Sequence, residues 1–393
     1  MALRNGAREG GIVKVLVAPD KFKGSLSARR VAEAVAAGLT EGWPELEVLL
    51  HPLADGGDGT MEVLVEATSG KTVPFQVTGP LGEPVTALLG VLGDGRTAVV
   101  EMAQASGLQL VPPGRRDPLR ATTRGTGELI SHALDLGFRD IIVAVGGSAT
   151  NDGGTGMARA LGVRFLDGAG NELLDGAAPL LELEHIDTSG IDPRVGEARI
   201  TVACDVANPL LGETGASAVY APQKGAGPRE VELLEEAMAR LAQITARDVV
   251  PGVEEKPGSG AAGGLGFGLM AFLGAETTPG ARLVMELTGF FRHLEGADLV
   301  ITGEGKLDEQ TGFGKTVVTV VEEAGKRGIP VIALAGMVTE GAFSLRERGL
   351  TAAFSIAPGP CSLEECVARS AEFLGRTARE IALLLRNLSR RFR

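Results

Sequence analysis

The stretch that most constrains this chain is Gly146-Gly147-Ser148-Ala149-Thr150-Asn151-Asp152-Gly153-Gly154-Thr155-Gly156-Met157. It follows an apolar run, 141–145, that reads as a buried strand, and precedes 158–162, which reads as a short helix. The order is strand, glycine-rich loop, helix. Glycines let a backbone turn tightly and approach a ligand, and the amides at a helix start attract anions. Ser148, Thr150, Asn151 and Asp152 bring hydroxyl, amide and carboxylate groups to the same place. An ordinary turn capped by Asp or Thr is the plainer alternative for one such loop. Recurrence weighs against it, because several loops of this kind occur along the chain.

At 393 residues the chain exceeds one typical domain, so two are expected. Hydrophobic residues at 44% suffice for sizeable cores, while an aromatic fraction of 4% leaves little for stacking bases. A net charge of −12 argues against a nucleic-acid partner and requires that any anionic ligand be met by locally placed positive charge. Only 9 of the 38 basic residues are lysine, yet Lys21, Lys23, Lys224, Lys306 and Lys315 all fall in or beside glycine-rich loops. A compact ammonium suits phosphate or carboxylate oxygens. Cys204, Cys361 and Cys366 form no CxxC pair and the four histidines are scattered, so neither a structural zinc site nor a disulfide framework is expected. No run is long and apolar enough for a membrane span, and residues 1–11 lack a signal-peptide core. A cytoplasmic protein with a disordered stretch at 1–11 is the expectation.

Residues 13–18 read as a first strand and 19–27 as its exit loop, followed by a helical stripe of Val31, Val35 and Leu39 that Ser27 can cap. Lys21, Lys23 and Ser25 thus sit at a strand's C-terminal end, the edge where open α/β sheets bind ligands. After a second strand, 47–50, Asp55 and Asp58 stand three apart among glycines. That spacing suits a magnesium ion held directly or through its waters, or equally turn and cap residues before a helix over 61–67. From about residue 70 the texture changes to short alternating runs with Gly-Pro and Gly-Asp punctuation, a smaller β-rich or mixed element. A strand over 199–206 carries Asp205 near its C-terminal end before an Asn-Pro turn, a placement that fits a catalytic or metal carboxylate or one that fixes the turn; Cys204 reads as core. Lys224 lies just upstream of an amphipathic helix with Pro228 in its first turn. Residues 258–266 contain a literal GxGxxG, including Gly260, Gly263 and Gly264, but no clean strand precedes it. A phosphate-cradling or close-packing loop remains. Regular alternation returns in the last quarter, with a strand over 298–302 and a charged glycine loop over 303–316 that holds Glu304, Lys306, Asp308 and Lys315. It is no Walker A motif, since Glu309 stands where glycine is required.

Taken together, APDKFKGSLSA (18–28), ADGGDGT (54–60), GTGELI (125–130), GGSATNDGGTGM (146–157), ACDVANPL (203–210), QKGA (223–226), GSGAAGGLG (258–266) and GEGKLDEQT (303–311) resemble the bacterial glycerate kinases of the first type, in that family's order. The resemblance implies ATP-dependent phosphorylation of D-glycerate, most often at the 2-hydroxyl. It implies two α/β domains, one flavodoxin- or Rossmann-like with a parallel sheet from both chain ends (12–72 with 290–393), the other a mixed α/β insertion (73–289). Departures are small: about a dozen extra residues before Lys14, and Asp58 where Glu is common. Phosphoryl transfer needs charge neutralisation and alignment above all. On that reading Asp205, Asp152, Lys21 and Lys23 are catalytic, and Ser25, Asn151, Ser148, Lys224 and Asp55 bind substrate. Gly260, Gly263, Gly264, Glu304, Lys306 and Lys315 bind ATP, and Asp58 and Asp308 hold Mg2+. Partners are D-glycerate and ATP, with no nucleic acid or membrane, in a monomer or homodimer. A kinase giving 3-phosphoglycerate or using another small hydroxy acid is the alternative, and a catalytically silent metabolite sensor is a more distant one.

Overall fold

The computed structural model describes residues 13–308 and 316–391; the stretch at 1–11 and Lys315 lie outside the described residues. Internal contacts group the chain into two compact units, Met1–Ala54 with Val284–Arg393, and Asp55–Leu283. The chain opens with β1 (Lys14–Val17), α1 (Ala28–Gly42) and β2 (Glu47–Leu50). The second unit follows with α2 (Thr60–Ala67), β3 (Lys71–Thr78), β4 (Pro84–Val91), β5 (Thr97–Glu101), α3 (Ala103–Ser106), α4 (Arg124–Asp135), β6 (Asp140–Ala144) and α5 (Thr155–Ala160). It continues with β7 (Arg164–Leu166), β8 (His185–Asp187), β9 (Arg199–Ala203), α6 (Ala216–Tyr220), α7 (Pro228–Asp248), α8 (Ala261–Leu273) and β10 (Glu276–Thr278). Then come α9 (Gly280–Thr288), α10 (Phe290–Glu295), β11 (Leu299–Leu307), α11 (Thr316–Lys326), β12 (Val331–Val338), β13 (Leu350–Ser355), α12 (Leu363–Ala368) and α13 (Ser370–Arg391).

The first unit holds a five-stranded, all-parallel sheet in the order β13-β12-β11-β1-β2. Within the unit's own succession of strands this is 5-4-3-1-2, the flavodoxin-type order, with its switch point between β1 and β11. The strands run apolar because helices cover the sheet: Val15, Val17, Ile301, Ile332 and Leu334 pack with Val31, Val35 and Leu39 of α1 and Phe373, Leu374 and Ile381 of α13. Helices α1 and α13 approach backbone to backbone, since a Cβ on Gly38 would lie 2.0 Å from the Gly375 carbonyl oxygen. Strand β11 runs five residues past the sequence-based end at 302, pairing Leu307 with Val338. Its glycines and charges disguised it as a loop, but Gly303 is there for close approach: a Cβ would sit 2.1 Å from the Leu334 carbonyl oxygen.

The second unit is built on a six-stranded sheet, β10-β9-β6-β5-β4-β3, in which β10, β9, β6 and β5 pair in parallel and the β5–β4 and β4–β3 pairs are antiparallel. The antiparallel edge accounts for the change of sequence texture near residue 70. Separately, β7 and β8 form a two-stranded ribbon.

Two expectations about isolated residues change. Cys361 and Cys366, five residues apart at the start of α12, form a disulfide that no CxxC spacing announced. Of the histidines called scattered, two meet in the first unit: the Nδ1 atoms of His51 and His293 are 2.9 Å apart and His51 Nε2 faces Thr288 Oγ1 at 2.8 Å. Burial, then His293, holds the His51 imidazole down at about 4. Cys204 is partly buried against the core of the second unit, and burial pushes its thiol up to about 11.

The α1–α13 contact sets an expectation. Gly38→Ala overpacks it and costs about 1–3 kcal/mol, read as a lower urea midpoint; an unchanged midpoint contradicts the packing described.

Candidate active site

In the first unit the chemistry gathers at the switch point. Asp20 follows β1 and is 6% exposed. Its amide donates to the Gly303 carbonyl at 2.9 Å, its Oδ1 accepts from the Lys21 amide at 2.6 Å, and its Oδ2 accepts from Thr316 Oγ1 at 2.7 Å at the start of α11. One buried carboxylate thereby ties the β1 exit loop to β11 and α11. Lys21 Nζ stands 3.8 Å from Asp20, while Lys23 is exposed, its backbone nitrogen 3.4 Å from where a Gly305 Cβ would be. Opposite them β11 carries Glu304 and Lys306, and Lys306 Nζ pairs with Asp308 Oδ2 at 2.8 Å. Lys21, Lys23, Glu304, Lys306 and Asp308 are thus brought to the two strands that flank the switch point. Ser25 is engaged elsewhere in its unit, donating to the Val367 carbonyl at 3.0 Å and bonding Ser370 Oγ.

In the second unit three adjacent parallel strands end in polar groups: β5 at Glu101, β6 at the 145–154 loop, and β9 just before Asp205. The 55–59 loop packs over these ends, closely at Gly56. The Gly146 amide donates to Gly56 O at 3.3 Å; a Cβ on Gly146 would meet Gly57 Cα at 2.4 Å, and one on Gly56 would meet Ala203 O at 2.7 Å. Asp55 Oδ1 accepts from the Gly57 amide at 3.1 Å, and Asp205 Oδ2 accepts from the Ala281 amide at 3.1 Å where α9 begins. Asp58 lies against Gly147, where a Cβ would come within 1.8 Å of its Oδ1. That Oδ1 is buried and has no hydrogen-bond partner among the described residues. Asp55, Asp58 and Asp205 therefore share one sheet edge with the Gly146–Asp152 loop.

Other members of that loop face inward. Asp152 is fully buried; its Oδ2 accepts from the Thr123 amide (2.8 Å), Thr123 Oγ1 (2.9 Å) and the Gly156 amide (3.2 Å), and its Oδ1 from the Gly154 amide (3.2 Å). Burial raises its pKa, and these four donors oppose that rise. Lys224 is also enclosed, at 1% exposure, with Nζ donating to the Thr150 carbonyl at 2.6 Å. Burial brings its ammonium down to about 7, against the opposing pull of Asp152. Asn151 donates to Ser217 Oγ at 3.2 Å, and its Oδ1 finds no partner among the described residues; Ser148 is 7% exposed. Gly260, Gly263 and Gly264 are close-packing glycines: added Cβ atoms would meet Pro209 O at 2.1 Å, Thr150 O at 2.0 Å and Gly153 Cα at 2.8 Å. Gly263 and Gly264 have φ of 69° and 85° inside α8, a left-handed backbone that favours glycine.

Two residues of consequence went unread in the sequence. Glu101, 2% exposed, accepts at Oε2 from the Gly59 and Met61 amides, both at 3.0 Å. Its signal was a carboxylate closing the apolar run of β5. Thr316 was seen only as the end of a failed Walker motif. Among the described residues no group of three His, Cys, Asp or Glu stands ready to hold a metal.

The fold and these loops describe a two-unit α/β protein with charged side chains gathered at the strand ends of each unit. The family model described as glycerate kinase family matches residues 15–386, and the chain belongs to that family. It is 47% identical over 370 residues to glycerate kinase of Bacillus subtilis (strain 168), covering 94% of this chain and 97% of that one. It is 45% identical to glycerate 2-kinase of Escherichia coli (strain K12) over 95% of this chain and 98% of that one. A crystal structure from Salmonella typhimurium LT2 bearing the name glycerate kinase 2 superposes with a TM-score of 0.83 at 47% identity, over 97% of this chain and 100% of that one.

The buried Lys224 gives a pH dependence with a definite sign. Between about 7 and its ordinary value of 10.5 the unfolded chain holds a proton that the folded one lacks, so stability rises with pH across that window. One proton sets an upper limit of about 1.4 kcal/mol per pH unit. Urea unfolding of wild type and Lys224→Met from pH 7 to 10 should show the wild type gaining on the variant; parallel curves contradict a depressed Lys224.

Proposed function

We propose that this chain transfers the γ-phosphoryl group of ATP to the 2-hydroxyl of D-glycerate. The observation that carries the reading is the switch point of the parallel sheet, where Lys21 and Lys23 after β1 face the charged end of β11. The family and the relatives named as glycerate kinases support the same activity.

Phosphoryl transfer is accelerated mainly by neutralising and aligning charge. Lys21 and Lys23 answer the negative charge of the phosphates, and Lys306 is held for the same work by Asp308. Asp205 is the base for the acceptor hydroxyl: it sits at a strand end, half-buried, with one oxygen anchored by the Ala281 amide, which fixes its direction. Asp152 and Lys224 act on the loop rather than on the ligand, because the bonds that enclose them hold the Thr150–Gly156 backbone in shape. Magnesium bound with ATP would supply positive charge against the negative charge that develops in transfer. Such an ion keeps several waters and needs only one or two carboxylates. Asp58 fits it, since its Oδ1 is a buried acceptor left over by the protein. The reading places the protein in the cytoplasm, where ATP is made.

Asp205→Asn should lower kcat by about 10²–10⁴-fold in a coupled ADP-release assay with D-glycerate, with an unchanged circular dichroism spectrum. Wild-type turnover in that variant overturns Asp205 as base, and absence of D-glycerate-dependent ADP release from the wild type overturns the activity.

A further inference from the structure

Glu101 lies in the second unit at the end of β5 and reaches the peptide between Asp58 and Gly59 through the Gly59 amide. Helix α2 begins at Gly59, whose φ of 86° makes it a left-handed position with no side chain to cap the helix. A Ser or Asp there would satisfy the first amides locally, but that backbone conformation disfavours either. The amides of Gly59 and Met61 are instead taken by Glu101 Oε2, 42 and 40 residues away in sequence. The arrangement costs a buried carboxylate. Desolvation raises the Glu101 pKa, the two amides oppose the rise, and the charge of Asp58 adds to it.

A neutral glutamine would accept the same two amides without that cost, so capping alone does not account for a charge at this place. What distinguishes the position is its neighbour. The amide of Gly59 is the far end of the peptide that Asp58 begins, and Asp58 lies between that anchored peptide and Gly147, where even a methyl group would intrude. The charge of Asp58 acts on Glu101 across this short connection, an arrangement that a cation relieves.

We propose that Glu101 is the positioning residue for Asp58: it fixes the peptide between Asp58 and Gly59 so that Asp58 meets the divalent ion carried by the nucleotide, and its negative charge strengthens the hold on that ion. The inference rests on the reading of Asp58 as the magnesium carboxylate. Glu101 itself is not a ligand in this account, since its Oε2 is committed to the two amides.

The test uses Glu101→Gln, which keeps the length and an oxygen for the amides while removing the charge, beside Asp58→Asn. Mn2+ binding to the full-length enzyme with a non-hydrolysable ATP analogue is followed by electron paramagnetic resonance, and kcat and half-saturation by Mg2+ are measured with D-glycerate. The expected result is weaker Mn2+ binding in both variants, by about tenfold in Glu101→Gln, with half-saturation by Mg2+ raised to match and the thermal melt of Glu101→Gln at or above that of the wild type. Wild-type Mn2+ affinity in Glu101→Gln with weakened affinity in Asp58→Asn overturns the role of Glu101 and leaves Asp58 standing. Wild-type affinity in Asp58→Asn overturns the reading of Asp58 and this inference with it. If Glu101→Gln does not fold, Glu101→Asp takes its place, keeping the charge but shortening the reach, and wild-type affinity there overturns the positioning role.

Discussion

The buried carboxylate of Asp152 is the interaction on which the second unit's loops depend. Four donors converge on it, from Thr123 before α4 and from Gly154 and Gly156 at the start of α5, so that two helix entries are fixed by one side chain. Around it, backbone meets backbone: Gly153 donates to the Gly263 carbonyl, Gly263 sits against Thr150, and the Lys224 side chain donates to the Thr150 carbonyl. Burying an ion is expensive unless its hydrogen-bonding capacity is met, and here it is met chiefly by amides that a loop of this shape must satisfy in any case.

The first unit repeats the device with Asp20. It takes the Lys21 amide on one oxygen and Thr316 on the other, and its own amide bonds Gly303. Each unit thus uses an enclosed aspartate to set loops at the C-terminal ends of parallel strands, the edge at which a sheet of this kind presents its ligand-binding groups. The residues left with exposed or half-exposed charge are different ones: Lys21, Lys23, Lys306 and Asp308 in the first unit, Asp55, Asp58 and Asp205 in the second.

Much of this was legible from local pattern. The apolar runs that became β1, β6 and β9, the glycine loops after them and the capping serines at 27 and 362 all follow from periodicity and helix-end chemistry. What local pattern cannot convey is which polar residue of a loop turns inward. Asp152 and Asp205 look alike in sequence, each beside a strand end, yet one is sealed and the other half-exposed. Long-range pairings were hidden for the same reason: Glu101 serves a helix 40 residues earlier, and the glycines at 260, 263 and 264 abut carbonyls and a Cα from distant segments. The charged glycine alternation of 303–307 concealed a strand, because its partner β12 lies some thirty residues on.

The central claim is that the charged strand ends deliver phosphate to one hydroxyl of a three-carbon hydroxy acid. Phosphorus NMR of the product formed from ATP and D-glycerate tests it most directly. The account predicts a single phosphomonoester resonance identified as 2-phosphoglycerate by an added standard; 3-phosphoglycerate, or no phosphorylated acid, would contradict it.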